Sequence, residues 1–394
     1  MRRVASGVAA AAATVTPLGR VVLAGAVALW AAGARFGWVE AVYAGLTGLC
    51  ALGLGALFTL GRTAVAVTVE PQRRRLTAGV PGEHTPVTVS VTNTSRRRLL
   101  PFRLEVVNGA AVESFPIPGL APVGVRAAVF EVPARRRGVI VLGPATSVRG
   151  DPLGLLQRRV EWSGATEVVV HPATVRLDPV GQGLLRDLEG RTSNDISMSD
   201  LAFHTLRDYV PGDDRRYIHW RSSAKAGAFL VRQFQDTRRT CLLLVVDGDP
   251  AAYADPGEFE TAISAAASVA VRAVDDGVDA TLVAGEAWSG SAPAQRRSRQ
   301  VLLDTCARAA LGGAGLPAQV ARGVRSVPEA TYAFVVTGPR VPFADLRRAC
   351  ARLPVGTPAV AVRVAPAERA RLAASGSLSV VTLPALGDLP GLLR

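Results

Sequence analysis

Residues 204–219 gather the groups that hydrolytic chemistry uses. His204, Asp208, Asp213, Asp214 and His219 place two imidazoles and three carboxylates in one short stretch. Such groups hold metal ions or exchange protons near neutral pH. Their spacing matches no metal-ligand or acid–base motif, and turn chemistry gives several of them a structural use. In Val210-Pro211-Gly212-Asp213 the proline presets φ at the second turn position and the glycine supplies a positive φ at the third. Asp213 or Asp214 is then placed to cap a helix over about 215–226, with Gly227 as its stop. On that helix Ile218, with Trp220 or Arg221 and Ala224, would face inward, while Arg215 and Arg216 would stay in water. Pairing of Asp213 or Asp214 with Arg207 or Arg216 would clamp the turn, because charges taken out of water need partners.

A second pair of carboxylates follows the apolar run Cys241–Val246, in Asp247-Gly248-Asp249-Pro250-Ala251. Two close carboxylates can hold a hard cation with waters completing its shell. Other chemistries find no support. Gly312-Gly313-Ala314-Gly315 lacks the Lys-Ser/Thr of a phosphate loop, and no serine sits on a nucleophile elbow. Cys50, Cys241, Cys306 and Cys350 show neither CxxC pairing nor metal-ligand spacing, which fits reduced thiols. The net charge is +13, yet Lys225 is the only lysine. Arginine used this heavily beside Ala, Gly, Val and Pro points to coding bias. The basic runs (Arg73–Arg75, Arg96–Arg98, Arg135–Arg137) have no interleaved aromatics, so nucleic acid is not an expected partner.

The elements that must position these residues fall into four stretches. Residues 1–62 read as a membrane anchor. Ala41–Gly61 carries no charge, and Val21–Ala34 becomes a second span when extended back through Thr16, with Arg20 snorkelling. Arginines before and after the pair place both ends in the cytoplasm; the rival reading makes Met1–Thr16 a signal peptide. Residues 63–175 alternate in short runs such as 64–69, 86–91, 103–106, 127–130 and 139–142, separated by turns. This predicts an antiparallel β-sandwich of immunoglobulin or fibronectin type, with His84 and His171 in surface or turn roles. Residues 176–236 form a connector and the segment described above, ending in an edge strand over 228–234. From 237 to 394 strands and helices alternate, which predicts a doubly wound α/β domain.

The string Arg-x-Tyr-x-Pro-Gly-Asp-Asp-x-Arg-x-Ile-His-Trp resembles the signature of the domain of unknown function 58 family. Arg207, Tyr209, Pro211, Gly212, Asp213, Asp214, Arg216, Ile218, His219 and Trp220 occupy its positions, and Arg137-Gly138 and Asp151–Leu156 resemble further landmarks. Asp247 at the end of the first α/β strand also looks like a von Willebrand factor A-type domain. There the strand ends in Asp-x-Ser-x-Ser, whose oxygens help hold Mg²⁺. Here Asp249 keeps an oxygen, Ala251 cannot ligate, and Thr337-Gly338-Pro339 lacks the later carboxylate. The resemblance implies a MoxR-type AAA+ ATPase partner and a transglutaminase-like membrane protein in the same company. The expectation is therefore a non-enzymatic, membrane-anchored adaptor or assembly factor without a cofactor. Its rivals are a module binding ligand through Mg²⁺ on Asp247 and Asp249, and a hydrolase using the His/Asp cluster.

Overall fold

Alternating hydropathy and apolar runs become two compact units, 1–171 and 172–394, in the computed structural model. It describes residues 14–59, 64–178, 201–210, 215, 218–236, 240–290, 292–375 and 378–393.

The first unit opens with two helices, α1 (Pro17–Phe36) and α2 (Val39–Thr59), both long and apolar enough to cross a membrane. The Thr16 hydroxyl accepts the Gly19 N–H and Pro17 takes the first turn, which fixes where α1 begins. Gly37, at φ 72°, ends it. The helices pack through small residues. Of the buried positions of α1, Ala26 and Gly33 face α2, and Gly19 lies against Leu155. A Cβ on Gly45 would lie 2.7 Å from the Ala26 carbonyl oxygen, so the two backbones nearly touch. The start of α1 is also tied to the turn 151–156. Thr16 donates its N–H to the Leu155 carbonyl at 3.0 Å and its hydroxyl to that of Gly154 at 2.7 Å. Asp151 holds the turn by accepting the N–H groups of Leu153 and Leu156.

Nine strands follow: β1 (Val65–Pro71), β2 (Arg75–Thr77), β3 (His84–Asn93), β4 (Phe102–Asn108), β5 (Ala111–Ile117), β6 (Val125–Pro133), β7 (Gly138–Gly150), β8 (Gln157–Glu161) and β9 (Thr166–His171). One sheet has the order β1-β3-β6 and the other β2-β9-β7-β4-β5, with β8 on β7. Strict alternation in β1 and β3 sends Val67, Val87, Val89 and Val91 into the same apolar core as Leu104, Val106, Leu142 and Val168 of the other sheet. Pairing is antiparallel except between β2 and β9, which run parallel, so the all-antiparallel expectation fails at that edge. His171 is buried and His84 exposed.

In the second unit, β10 (Leu201–Asp208) pairs antiparallel with β11 (Leu230–Asp236), and α3 (Trp220–Ala226) lies in the excursion between them. The sheet beyond has seven strands in the order β14-β13-β12-β15-β16-β18-β17. These are β12 (Cys241–Val246), β13 (Asp279–Ala284), β14 (Ala287–Trp288), β15 (Tyr332–Thr337), β16 (Ala359–Val364), β17 (Arg371–Ser375) and β18 (Leu378–Leu383). The inner five run parallel and the two edges antiparallel. Leu242, Leu244 and Val246 share a core with α4 (Pro256–Asp275) and, beyond the short α5 (Pro293–Arg296), with α6 (Arg299–Arg308). The alternate residues Cys241, Leu243 and Val245 share one with α7 (Leu316–Ser326) and α8 (Phe343–Cys350). Helices therefore cover both faces, as continuous apolar strands require. The short α9 (Leu389–Leu392) closes the chain.

Three boundaries differ from the sequence reading. The apolar spacing over 296–310 suggests a single helix, yet α5 ends at Arg296 and the Ser298 side chain accepts the Val301 N–H to start α6 afresh. The unforeseen α7 hides its apolar face among arginines, and it contains Gly323, where a Cβ would come within 3.0 Å of the Leu243 side chain. β10, within the stretch 176–236 expected as connector and signature, is a strand that the sequence pattern does not announce; its register shifts between Phe203 and Thr205.

Candidate functional site

The register that pairs Val246 with Val336 brings the next residues, Asp247 and Thr337, side by side at the C-terminal edge of the parallel sheet. There β12 is flanked by β13 on one side and β15 on the other, the position at which open α/β sheets bind ligands. Asp247 is almost wholly buried, at 1% exposure. Its Oδ1 accepts the Asp249 N–H at 3.1 Å and its Oδ2 accepts the Thr337 hydroxyl at 2.9 Å. The Tyr253 hydroxyl donates to the Asp247 backbone carbonyl at 2.7 Å. Burial pushes the Asp247 carboxyl above its ordinary value, against the pull of these hydrogen bonds. Tyr253 is likewise pushed well up by burial, with the charges of Asp247 and Glu258 adding to it.

Asp249 faces a different task. Its Oδ1 accepts the Ala251 N–H at 2.9 Å and so caps the 3₁₀ turn Pro250–Ala252. Gly248 permits a close approach of three loops: an added Cβ would stand 2.6 Å from Gly285 Cα and 2.6 Å from the Gly312 carbonyl oxygen. Gly312 in turn donates its N–H to the Gly248 carbonyl at 2.7 Å. Arg322 of α7 binds the carbonyls of Gly285 and Glu286 at 2.9 and 3.0 Å. The edge is thus a knot of backbone and buried side chains. Toward a cation such as Mg²⁺ it offers the carboxylates of Asp247 and Asp249, with Thr337 where the later carboxylate would stand and no ligating atom on Ala251. Among the described residues no three His, Cys, Asp or Glu side chains gather as a metal site.

The signature segment builds a second surface. Ile218 bridges Val231, and both are buried. The helix starts at Trp220 with His219 as its cap, so capping by Asp213 or Asp214 over a helix from Arg215 is corrected. His219 Nδ1 pairs with the Ser222 hydroxyl at 2.7 Å and faces the Ser222 N–H at 3.3 Å. Gly227, at φ 71°, stops the helix as expected. Trp220, Arg221 and Ala224 are exposed, not inward; the buried position of α3 is Ser223. Its hydroxyl donates to the His219 carbonyl at 3.1 Å and accepts the Leu230 N–H at 2.8 Å, joining helix to strand. Tyr209 is half-buried and donates its N–H to the Phe229 carbonyl at 2.8 Å.

Pro211, Gly212, Asp213, Asp214 and Arg216 lie outside the described residues, as does the connector 181–200. Arg207 sits on β10 opposite Val231, Asp208 opposite Leu230, and His204 at the register shift. Sequence reasoning missed Thr337 as the partner of Asp247 and Phe229 as the hub of the exposed rings. The signals were a hydroxyl where a carboxylate was looked for, and a lone aromatic after the Gly227 stop.

These features define a chain with two apolar helices, β-sheet layers and an α/β region whose sheet edge is closed by an aspartate and a threonine. Residues 205–383 match the family described as Protein of unknown function DUF58, the family whose signature the segment resembles. No curated protein matches the sequence. Similar solved structures include the CARDB domain of a Pyrococcus furiosus protein in complex with di-metal ions, at 12% identity and TM-score 0.21. The match covers 27% of this chain and 92% of that one. The ApaA protein from Bordetella pertussis matches at 16% identity and TM-score 0.19, over 27% and 94% of the two chains. The Pseudomonas fluorescens alkylpurine DNA glycosylase AlkC bound to DNA matches at 11% and 0.21, over 29% and 32%.

Proposed function

We propose that this protein is a non-enzymatic, membrane-anchored adaptor or assembly factor that works with a MoxR-type AAA+ ATPase, in company with a transglutaminase-like membrane protein. In this proposal α1 and α2 span the membrane as a hairpin and the soluble parts face the cytoplasm. The β layers form an immunoglobulin-like sandwich, and the α/β region is a von Willebrand factor A-like domain. The strand order supports the last point, since an antiparallel edge, β14, precedes β13 and β12, and β15, β16 and β18 continue the sheet.

One observation carries the proposal. Asp247, the residue placed where an α/β sheet does its work, has both carboxylate oxygens engaged within the chain. A buried carboxylate with both oxygens hydrogen-bonded inside the chain is suited to holding loops still, and a rigid loop edge is a docking surface. The partner class comes from the family resemblance. The test is capture of an AAA+ ATPase from host extract by the detergent-solubilised full chain with ATP and Mg²⁺. Recovery of no such ATPase contradicts the proposal.

A further inference from the structure

The turn end of the signature hairpin carries aromatic rings in water. Trp220 is 63% exposed and Phe229 56%, and they stand edge to face with centroids 6.0 Å apart. Tyr209 meets Phe229 in the same way at 6.3 Å, and Val210, 56% exposed, continues the patch. The backbone beneath is fixed by the Tyr209–Phe229 and Ser223–Leu230 hydrogen bonds. An exposed apolar cluster that is already ordered loses little entropy on binding, which marks it as an interaction surface.

The charges beside the rings select the occupant. Arg215, Arg221 and Lys225 are exposed, and Arg221 and Lys225 lie one turn apart on α3. Among the described residues none of these three is held in an ion pair. Indole and phenyl rings flanked by guanidinium and ammonium groups match the boundary between headgroups and acyl chains, with the cations against anionic lipid. The chain carries its own route to such a surface in α1 and α2, each long and apolar enough to cross a bilayer.

We propose that the aromatic and basic tip formed by Tyr209, Val210, Trp220 and Phe229 with Arg221 and Lys225 seats on an anionic membrane surface. This surface is separate from the sheet edge assigned to the ATPase, and the proposal stands without that assignment.

The test is amide hydrogen exchange on the full chain in nanodiscs of phosphatidylcholine alone and in nanodiscs containing phosphatidylglycerol. Amides over 218–231 should exchange roughly tenfold more slowly on the anionic discs, an effect that added salt reverses. Arg221→Glu with Lys225→Glu should abolish the difference, and Trp220→Ser with Phe229→Ser should do the same. All four positions are exposed, and unchanged exchange in β12 and β15 checks that each variant is folded. Equal exchange on both kinds of disc overturns the proposal. Protection that rises with protein concentration on neutral discs also overturns it, because a second copy of the chain then covers the patch.

Discussion

The Thr337 hydroxyl donates to Oδ2 of Asp247 at 2.9 Å, joining residues 90 positions apart at the ends of adjacent parallel strands. Asparagine can keep this geometry, accepting the Asp249 N–H and donating to the Thr337 oxygen, whereas alanine leaves two buried donors without acceptors. Asp247→Ala should cost about 2 kcal/mol in denaturant unfolding and Asp247→Asn far less. Equal losses for the two variants would show that this hydrogen-bonded pair is not what holds the edge.

The same carboxyl makes a pH prediction. Burial raises its value above the ordinary 3.8, so the folded state binds the proton more tightly than the unfolded state. Stability is therefore lost as pH rises from that ordinary value through the raised folded value. Relative to the wild type, Asp247→Asn should fare better as pH climbs through this window, so its small deficit shrinks toward neutral pH. Melting temperatures of both proteins across the acid range check the sign.

Gly248 is packed between the backbones of Gly285 and Gly312, which cannot swing aside as a side chain can. Gly248→Ala should destabilise the α/β region by roughly 1–3 kcal/mol. Thermal melting of the variant measures this directly.

Much of the fold was legible because burial writes a period into the sequence. Cys241–Val246 is apolar at every position since helices cover both sheet faces, and Val65–Val69 alternates since one face meets a core. The site was less legible. Asp247 stood out as a carboxylate ending a strand, but its pairing with Thr337 depends on strand order, which no local pattern encodes. The His219 cap was mistaken for one by Asp213 or Asp214 because aspartate is the commoner cap. The helical period offers Trp220 or Arg221 as an inward position; the later start of α3, with β11 beneath it, leaves both outside.

Thr16 ties α1 to the Leu155 turn through its backbone N–H and its hydroxyl. Thr16→Val removes the hydroxyl bonds and the cap on Gly19 together, for an expected loss of about 1–2 kcal/mol. A Cβ at Gly19 would run into the Leu155 carbonyl, so Gly19→Leu should separate helix from turn altogether. Limited proteolysis at 151–156 in detergent should be faster in both variants, and most in the second.

Burial pushes the thiols of Cys241 and Cys350 up to about 11. At neutral pH both should resist maleimide until the protein unfolds. Mass spectrometry of labelled peptides, with and without denaturant, reads this out.

The most direct measurement for the adaptor proposal is capture from host extract by the full chain in detergent, with and without ATP and Mg²⁺, for wild type and Ala251→Arg. Ala251 is exposed beside the Asp247 knot, so arginine there obstructs the sheet edge without entering it. The account predicts an AAA+ ATPase held by the wild type in the presence of nucleotide and lost with Ala251→Arg. A folded wild-type protein that retains no such ATPase, or an ATPase retained equally by Ala251→Arg, would contradict it.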